Sequence, residues 1–179
     1  LQGFYSVIKG KDECIRFVFL TGVTKLGKMS IFSGLNNLND ISMDLRYADI
    51  CGISESELQA NFDASVEELA AVCGLAKEKC YAKLARMYDG YHFHPKAIGV
   101  YNPFSLLNTF YANEFRMYWF QTGTPSFLVR YLQAGRYNLD SISKDGVSVE
   151  TLTGANYVSP APITLMYQTG YLTIKDYDE

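Results

Sequence analysis

Apolar residues recur at helical spacing in the middle of the chain, between clear start and stop signals. The first such stretch begins at Ser54, which forms a capping-box pattern with Glu57, and it ends at Gly74. This pattern predicts a helix with one apolar face. The residues on that face are Leu58, Phe62, Val66, Leu69 and Cys73.

Further helices are predicted from their start and stop residues. A second helix should run from about Lys77 to Tyr88, before a turn at Asp89-Gly90. Asn102-Pro103 and Thr124-Pro125 are typical helix openers, because Asn or Thr caps the first turn and Pro loses no hydrogen bond there. The helix after Asn102 carries Leu106, Leu107 and Phe110; the helix after Thr124 should stop at Gly135, and Pro162 should open a last helix.

Two short apolar runs predict strands instead. Residues 15–20 (Ile-Arg-Phe-Val-Phe-Leu) are β-branched and aromatic, which suits a strand buried on both faces of a parallel sheet. Tyr171 to Ile174 form a similar run after the last helix. The predicted fold class is therefore mainly α with a few short strands, and the first strand belongs to a sheet completed elsewhere.

The composition is that of a globular chain. Its 179 residues are 48% hydrophobic and 20% charged, and the length predicts about one domain. A net charge of -3 excludes a whole-chain basic surface for nucleic acid. No apolar run is long enough to span a membrane. The chain starts with Leu and stops directly after a predicted strand, so we expect an excised piece of a longer protein.

Several residue groups could carry chemistry, but none forms a complete active site. Gly22 to Lys28 fits the spacing G-x-x-x-x-G-K, although Met29 replaces the hydroxyl residue that would hold magnesium. His92 and His94 share one face if extended, with Asp89 as a third potential metal ligand, yet a loop of structural aromatic residues is the commoner arrangement. Without a G-x-S-x-G motif, a Ser-His-Asp triad is not expected.

The remaining candidates have structural interpretations. The spacing of the four cysteines does not suit a zinc site, so we expect them to be free thiols. The acidic pairs on the first helix, Glu55/Glu57 and Glu67/Glu68, should lie on a solvated face. Tyrosines and phenylalanines at 81–93 and 110–120 could stack nucleobases, but few basic residues accompany them, so core or docking roles are preferred.

Six longer motifs, in order along nearly the whole chain, resemble the predicted AAA-ATPase-like family that is abundant in Bacteroidetes. These motifs are Phe19-Leu-Thr-Gly-Val-Thr-Lys25, Ile31-Phe-Ser-Gly-Leu-Asn-Asn-Leu-Asn-Asp-Ile-Ser42, Tyr88-Asp-Gly-Tyr-His-Phe93, Tyr101-Asn-Pro-Phe-Ser105, Trp119-Phe-Gln-Thr-Gly-Thr-Pro125 and Tyr167-Gln-Thr-Gly-Tyr-Leu-Thr173.

The resemblance implies a division of the chain into three parts. Residues 1–50 would be the last strands and sensor segment of an α/β P-loop-type core, 51–135 a helical lid, and 136–179 a partial winged-helix-like region. The N-terminal half of the whole protein would carry the phosphate loop, and a PD-(D/E)XK nuclease-like domain would follow. ATP and Mg²⁺ would bind the whole protein, and neither should bind this fragment tightly. A cytoplasmic protein without a membrane partner is implied, and nucleic acid stays open as a partner.

The resemblance also assigns site residues. Thr21 would end the strand at the position of a polar γ-phosphate sensor, and Lys25 would follow it in the matching Thr-Lys pair. The lid motif near the nucleotide would comprise Thr122, Gly123, Thr124 and Pro125. That motif contains no sensing arginine, and Arg130 lies six residues after Thr124, which puts a second-sensor role in doubt. The Gly22–Lys28 spacing would then be a coincidence within the sensor segment.

Two functions follow from this reading. In the first, the chain is the sensor and lid half of an ATPase that couples ATP binding and hydrolysis to a nuclease-like effector, and it is inactive alone. The alternative is a non-enzymatic, aromatic-rich helical docking module with a degenerate nucleotide site. The two differ in whether the whole protein responds to ATP.

Overall fold

The computed structural model describes residues 7–8, 10–22, 38–119, 130, 133, 146–153 and 161–177. The chain divides into two compact units, which are considered separately below. The first, here called the helical unit, comprises residues 42–131 and 173–179, and the second comprises residues 1–41 and 132–172. The described residues are mainly helical, as predicted, with five α-helices and short 3-10 turns at Asp12–Cys14 and Leu45–Tyr47.

Helix α1, Glu55–Val72, begins and ends at the predicted signals. The Ser54 hydroxyl oxygen accepts the Glu57 backbone N–H at 3.3 Å, and the Glu57 carboxylate accepts the Ser54 backbone N–H at 2.9 Å. This reciprocal pair satisfies two N–H groups that the first turn would otherwise leave unbonded. At the other end, Gly74 takes a φ of +64°, where a Cβ would be strained, and Leu75 donates back to the Ala70 carbonyl at 2.9 Å.

Helices α2, Lys77–Tyr88, and α3, Pro103–Ala112, also match their predictions. Asp89 is the C-cap residue of α2, and Gly90 follows it with a φ of +100°. The Asn102 side-chain oxygen accepts the Ser105 backbone N–H at 2.8 Å, and Pro103 occupies the first turn of α3. Asn113 ends α3 in the left-handed conformation, at a φ of 51°.

The core of the helical unit lies where these helices pack against one another. Phe62 of α1 stacks on Phe110 of α3, with ring centroids 5.8 Å apart. The apolar face predicted for α1 is confirmed, because its central residues have no solvent contact. On α2 the spacing of Cys80, Leu84 and Met87 predicts one apolar side; Cys80 and Leu84 are fully buried, Met87 is partly buried, and Tyr88 is buried as well. The fully buried apolar side chains of the core are Leu58, Val66, Leu69, Cys80, Leu84 and Leu106.

Isolated antiparallel bridges connect the segments outside these helices. Ile53 pairs with Tyr101, and Tyr91 pairs with Val100, so residues 100–101 lie between two neighbouring backbones. Gly52 is needed for this approach, since a Cβ there would lie 2.3 Å from Cγ2 of Val100. These bridges are the β-structure of the part of the chain that the structure describes.

The prediction of strands at residues 15–20 and 171–174 is wrong. Residues 15–20 have irregular backbone, and Phe17, Phe19 and Leu20 are exposed, with Phe17 at 80%. Tyr171 to Ile174 are likewise irregular after Gly170 turns the chain at a φ of +81°. A strand obtains its backbone hydrogen bonds from a neighbour, and within the described residues neither segment has a sheet partner. Apolar composition alone therefore does not make these segments strands.

The second unit contains helices α4, Val149–Leu152, and α5, Pro162–Gln168. The start of α5 at Pro162 confirms the prediction. The Thr164 hydroxyl donates to the Thr151 carbonyl at 2.6 Å, which joins α5 to α4. Most of the helix predicted after Thr124-Pro125 lies outside the described residues; Arg130 and Gln133, which fall within it, are described and helical. None of the described helices is long and apolar enough to cross a membrane.

Candidate functional site

Of the predicted nucleotide-sensing and lid residues, Thr21 is the one that the structure describes. It is exposed and follows Leu20 in the irregular segment after residue 15. Lys25, Thr122, Gly123, Thr124 and Pro125 lie outside the described residues, as do Gly27 and Lys28 of the glycine-spaced motif.

The histidine pair lies in the loop between α2 and α3, and its ring nitrogens bond to that loop. Nδ1 of His92 lies 3.0 Å from the Ala97 carbonyl oxygen, and Nδ1 of His94 accepts the Lys96 backbone N–H at 3.0 Å. Within the described ranges, no group of three potential ligand residues could hold a metal ion.

This loop closes on itself around Gly99. A Cβ at Gly99 would lie 3.2 Å from Cα of Gly90, 3.3 Å from Nε2 of His92 and 3.4 Å from Oδ1 of Asp89. Any larger residue would push against the Gly90 backbone. The loop also receives the end of the chain, because the His92 backbone N–H donates to the Thr173 hydroxyl at 2.7 Å.

Tyr101 joins the loop to the start of α1. Its ring is fully buried, and its hydroxyl donates to the Glu55 carboxylate. Burial, followed by the hydrogen bond to Glu55, raises the pKa of Tyr101 well above its usual range. Tyr101 therefore stays protonated at neutral pH and acts as a hydrogen-bond donor, not as a base.

A second polar cluster joins α1 to α2. The Lys77 ammonium lies 2.7 Å from Asp63 and 2.6 Å from Glu67, and the Tyr81 hydroxyl donates to Asp63 at 2.9 Å. The hydrogen bond from Lys77, with a further one from Tyr81, lowers the pKa of Asp63. Burial and the bond to Asp63 raise the pKa of Tyr81 to about 12. These groups hold two helices together and offer no free base.

The Tyr88 hydroxyl connects three segments of the helical unit. It donates to the Arg116 carbonyl at 2.8 Å and accepts the Arg116 backbone N–H at 3.2 Å. The Thr109 hydroxyl of α3 lies 2.8 Å from the same oxygen. Through this one atom, the end of α2 fixes both α3 and the segment that follows it.

The expectation that the acidic pairs of α1 lie on a solvated face is confirmed, since all four residues are exposed. Glu55, Glu57 and Glu67 also have the partners described above, and Glu68 accepts the Asn113 side-chain amide at 3.0 Å. These contacts could not be predicted from the sequence, because the two partners lie 10 to 46 positions apart. The capping-box role of Glu57 was the exception, since its partner is local in sequence.

The predicted aromatic clusters divide between core and surface. Tyr88 and Tyr118 are buried, whereas Tyr111 on α3 is 91% exposed. Phe104 and Leu107, also on α3, are each 47% exposed. The structure thus supports a core role for some of these rings and leaves one apolar helix face uncovered.

The chain is similar to an uncharacterized protein encoded in the 5′ region of vnfD in Azotobacter chroococcum mcd 1. The two are 41% identical over 174 residues, which cover 97% of this chain and 31% of that protein. The chain therefore spans about a third of the length of the curated relative it matches. No family model matches the chain. No solved structure matches it either.

Proposed function

We propose that this chain is the sensor and lid region of an AAA-ATPase-like protein. ATP and Mg²⁺ would bind between this region and a preceding phosphate-loop segment of the same polypeptide. A nuclease-like domain would follow and receive the signal. The chain alone would neither bind ATP tightly nor hydrolyse it.

The observation that carries the proposal is the exposure of residues 15–20. Their β-branched and aromatic composition is typical of a strand buried in a parallel sheet, yet Phe17 is 80% exposed. A large apolar segment without sheet partners is expected where the neighbouring strands come from another part of a longer protein. In the family that the six motifs resemble, this segment would be one of the last strands of the ATPase core.

Thr21 would then stand at the end of this completed strand, beside the nucleotide. Its hydroxyl could orient a water or a phosphate oxygen on closure of the lid. Within the helical unit, the loop around Gly99 and the Tyr88 hydrogen bonds hold α2, α3 and the segment after α3 together, as a lid requires. The nucleotide would bind the closed lid more tightly than the open lid, and this difference in binding free energy would drive closure.

The proposal is tested first by reading the gene upstream of the codon for Leu1. An intact G-x-x-x-x-G-K-[ST] motif and an apolar strand ending in Asp are expected. The whole gene product should bind a fluorescent ATP analogue, and Thr21→Val should lower its ATPase rate by roughly tenfold to 100-fold through loss of one charged hydrogen bond. Thr21→Ser keeps the hydroxyl and should retain most of the rate.

Two results would contradict the proposal. One is a gene that lacks both nucleotide motifs. The other is ATP turnover by the 179-residue chain that disappears on Lys28→Ala, because that would make Gly22–Lys28 a working phosphate loop.

The alternative function, an aromatic docking module without nucleotide, is favoured by one observation. Helix α3 presents Phe104, Leu107 and Tyr111 to solvent, as a docking surface would. This alternative predicts that the whole gene product does not bind ATP. The binding measurement with the fluorescent ATP analogue therefore separates the two functions.

A further inference from the structure

Helix α3 has an unusual distribution of polar and apolar side chains. Ser105 and Thr109 face the core with no solvent contact, while Phe104, Leu107 and Tyr111 face outward. Among the described residues the Ser105 hydroxyl oxygen, fully buried, has no hydrogen-bond partner. Leu106 and Phe110 of α3 also pack in the core, so the helix carries apolar side chains on both its inward and its outward face. An ordinary surface helix has polar groups on its outward face.

Helix α3 also lacks charge altogether. Its sequence from Pro103 to Ala112 is PFSLLNTFYA, without Asp, Glu, Lys or Arg. Exposed apolar side chains on an uncharged helix face are typical of a surface that another element covers. We infer that the outward face of α3, formed by Phe104, Leu107 and Tyr111, is a docking surface for an apolar helix of the same polypeptide outside residues 1–179.

The spacing of the three residues indicates a helical occupant. Positions 104, 107 and 111 recur at intervals of three and four, which places them in one stripe along the helix axis. A stripe of this kind fits between the side chains of a second helix packed nearly parallel or antiparallel to it. The absence of charge on α3 favours an equally uncharged face on the partner.

The area of the stripe argues for a tethered occupant and against a second copy of the chain. Covering these partly exposed side chains would bury roughly 350–400 Å² of α3, whereas a stable dimer needs about 800 Å² on each partner. A segment of the same polypeptide needs less area, because tethering gives it an effective concentration in the millimolar range. The longer relative has the length for this, since the match covers only 31% of it.

This inference shares with the proposed function the premise of a longer polypeptide, but it requires no nucleotide.

The test of the inference is thiol labelling in a background where the exposed cysteines are removed by Cys14→Ser and Cys51→Ser. Leu107→Cys reports on the outward face of α3. Ala60→Cys, on the exposed polar side of α1, is the matched control. Each is labelled with a maleimide in the 179-residue chain and in the whole gene product.

In the 179-residue chain we expect both thiols to react at similar rates. In the whole gene product, the Leu107→Cys thiol should react about tenfold more slowly while the Ala60→Cys thiol is unchanged. Equal rates in the whole product would overturn the inference, and so would slow labelling of Leu107→Cys already in the 179-residue chain.

Sedimentation equilibrium provides the second measurement, because a free second copy is the competing occupant. The 179-residue chain should remain monomeric at micromolar concentration. A dimer that Tyr111→Ser dissociates would overturn the tethered occupant in favour of a second copy. If the whole gene product does not bind ATP but its Leu107→Cys thiol is protected, the proposed function is refuted and the inference stands. If it binds ATP but the Leu107→Cys thiol is not protected, the inference is refuted and the proposed function stands.

Discussion

Helices α1 to α3 and residues 15–20 are both rich in apolar side chains, but only the helices bury them. Leu58, Leu84 and Leu106 have no solvent contact, whereas Phe17 is mostly exposed. The difference lies in the backbone. A helix bonds its own N–H and C=O groups and needs a partner only for one face, while a strand needs a neighbour for its backbone as well. The core of the helical unit is therefore complete among its own helices, whereas residues 15–20 have no sheet partner within the described part of the chain.

The largest expected effect contrasts the two regions directly. Leu84→Ala removes a fully buried side chain at the α1–α2–α3 contact and should lower the free energy of unfolding by about 2–5 kcal/mol. Phe17→Ala should change it by less than about 0.5 kcal/mol, because the ring is exposed. Urea denaturation followed by circular dichroism measures both. A large effect of Phe17→Ala in the 179-residue chain would show that residues 15–20 contribute to a core after all.

The next effect concerns the Tyr88 hydroxyl, which joins α2 to α3 and to Arg116. Tyr88→Phe leaves the buried Thr109 hydroxyl and the Arg116 backbone groups with fewer partners and should cost about 1–3 kcal/mol. Tyr111→Phe is the matched control, since its ring is exposed, and should be nearly neutral. The same denaturation experiment applies. Equal effects of the two variants would mean that the Tyr88 connections add nothing to stability.

A smaller effect is expected at the start of α1. Ser54→Ala removes the side-chain half of the capping box and should destabilise the helical unit by about 1 kcal/mol. Ser56→Ala is the control, because it removes the 3.1 Å contact between the Ser56 and Ser54 hydroxyls but keeps both hydrogen bonds of the capping box. Amide hydrogen exchange in the first turn of α1 should quicken for Ser54→Ala. Unchanged exchange there would contradict a stabilising cap.

The smallest effect is the pH dependence of the contact between α1 and α2. The hydrogen bond from Lys77 holds the pKa of Asp63 below its ordinary value of 3.8. A carboxylate with a lowered pKa contributes stability above its unfolded pKa, and that contribution is lost as the pH falls through the folded value. Stability should thus decline below about pH 4, and this decline should be shallower in Asp63→Asn.

Urea midpoints at pH 7 and pH 3 check this prediction. The difference between the two midpoints should be smaller in Asp63→Asn than in the natural chain. Because Asp63 and Glu67 are both substantially exposed, added salt should reduce the contribution as well. An identical acid dependence in the two proteins would mean that the Lys77 cluster is fully screened by solvent.

Local signals accounted for the helices, and distance in sequence limited the rest. The capping box at Ser54, the Asn102-Pro103 opener and the stop at Gly74 each involve residues within a few positions of one another, so they could be predicted. The Tyr101–Glu55 and Lys77–Asp63 contacts could not, because their partners meet only when the helices pack. Of the predicted nucleotide-sensing residues, only the exposure of Thr21 can be compared with the structure, and the sensor role stays a prediction.

The sequence by itself determined where α1, α2, α3 and α5 begin, and which side of α1 is apolar, because helix ends and helix faces depend on neighbours three or four positions apart. Tertiary structure decided three other matters. Among the described residues it left 15–20 without a strand partner, gave the acidic residues of α1 their partners, and turned Phe104, Leu107 and Tyr111 of α3 outward. Apolar spacing identifies a face that can be buried, but only the packing of one element against another decides which faces are covered.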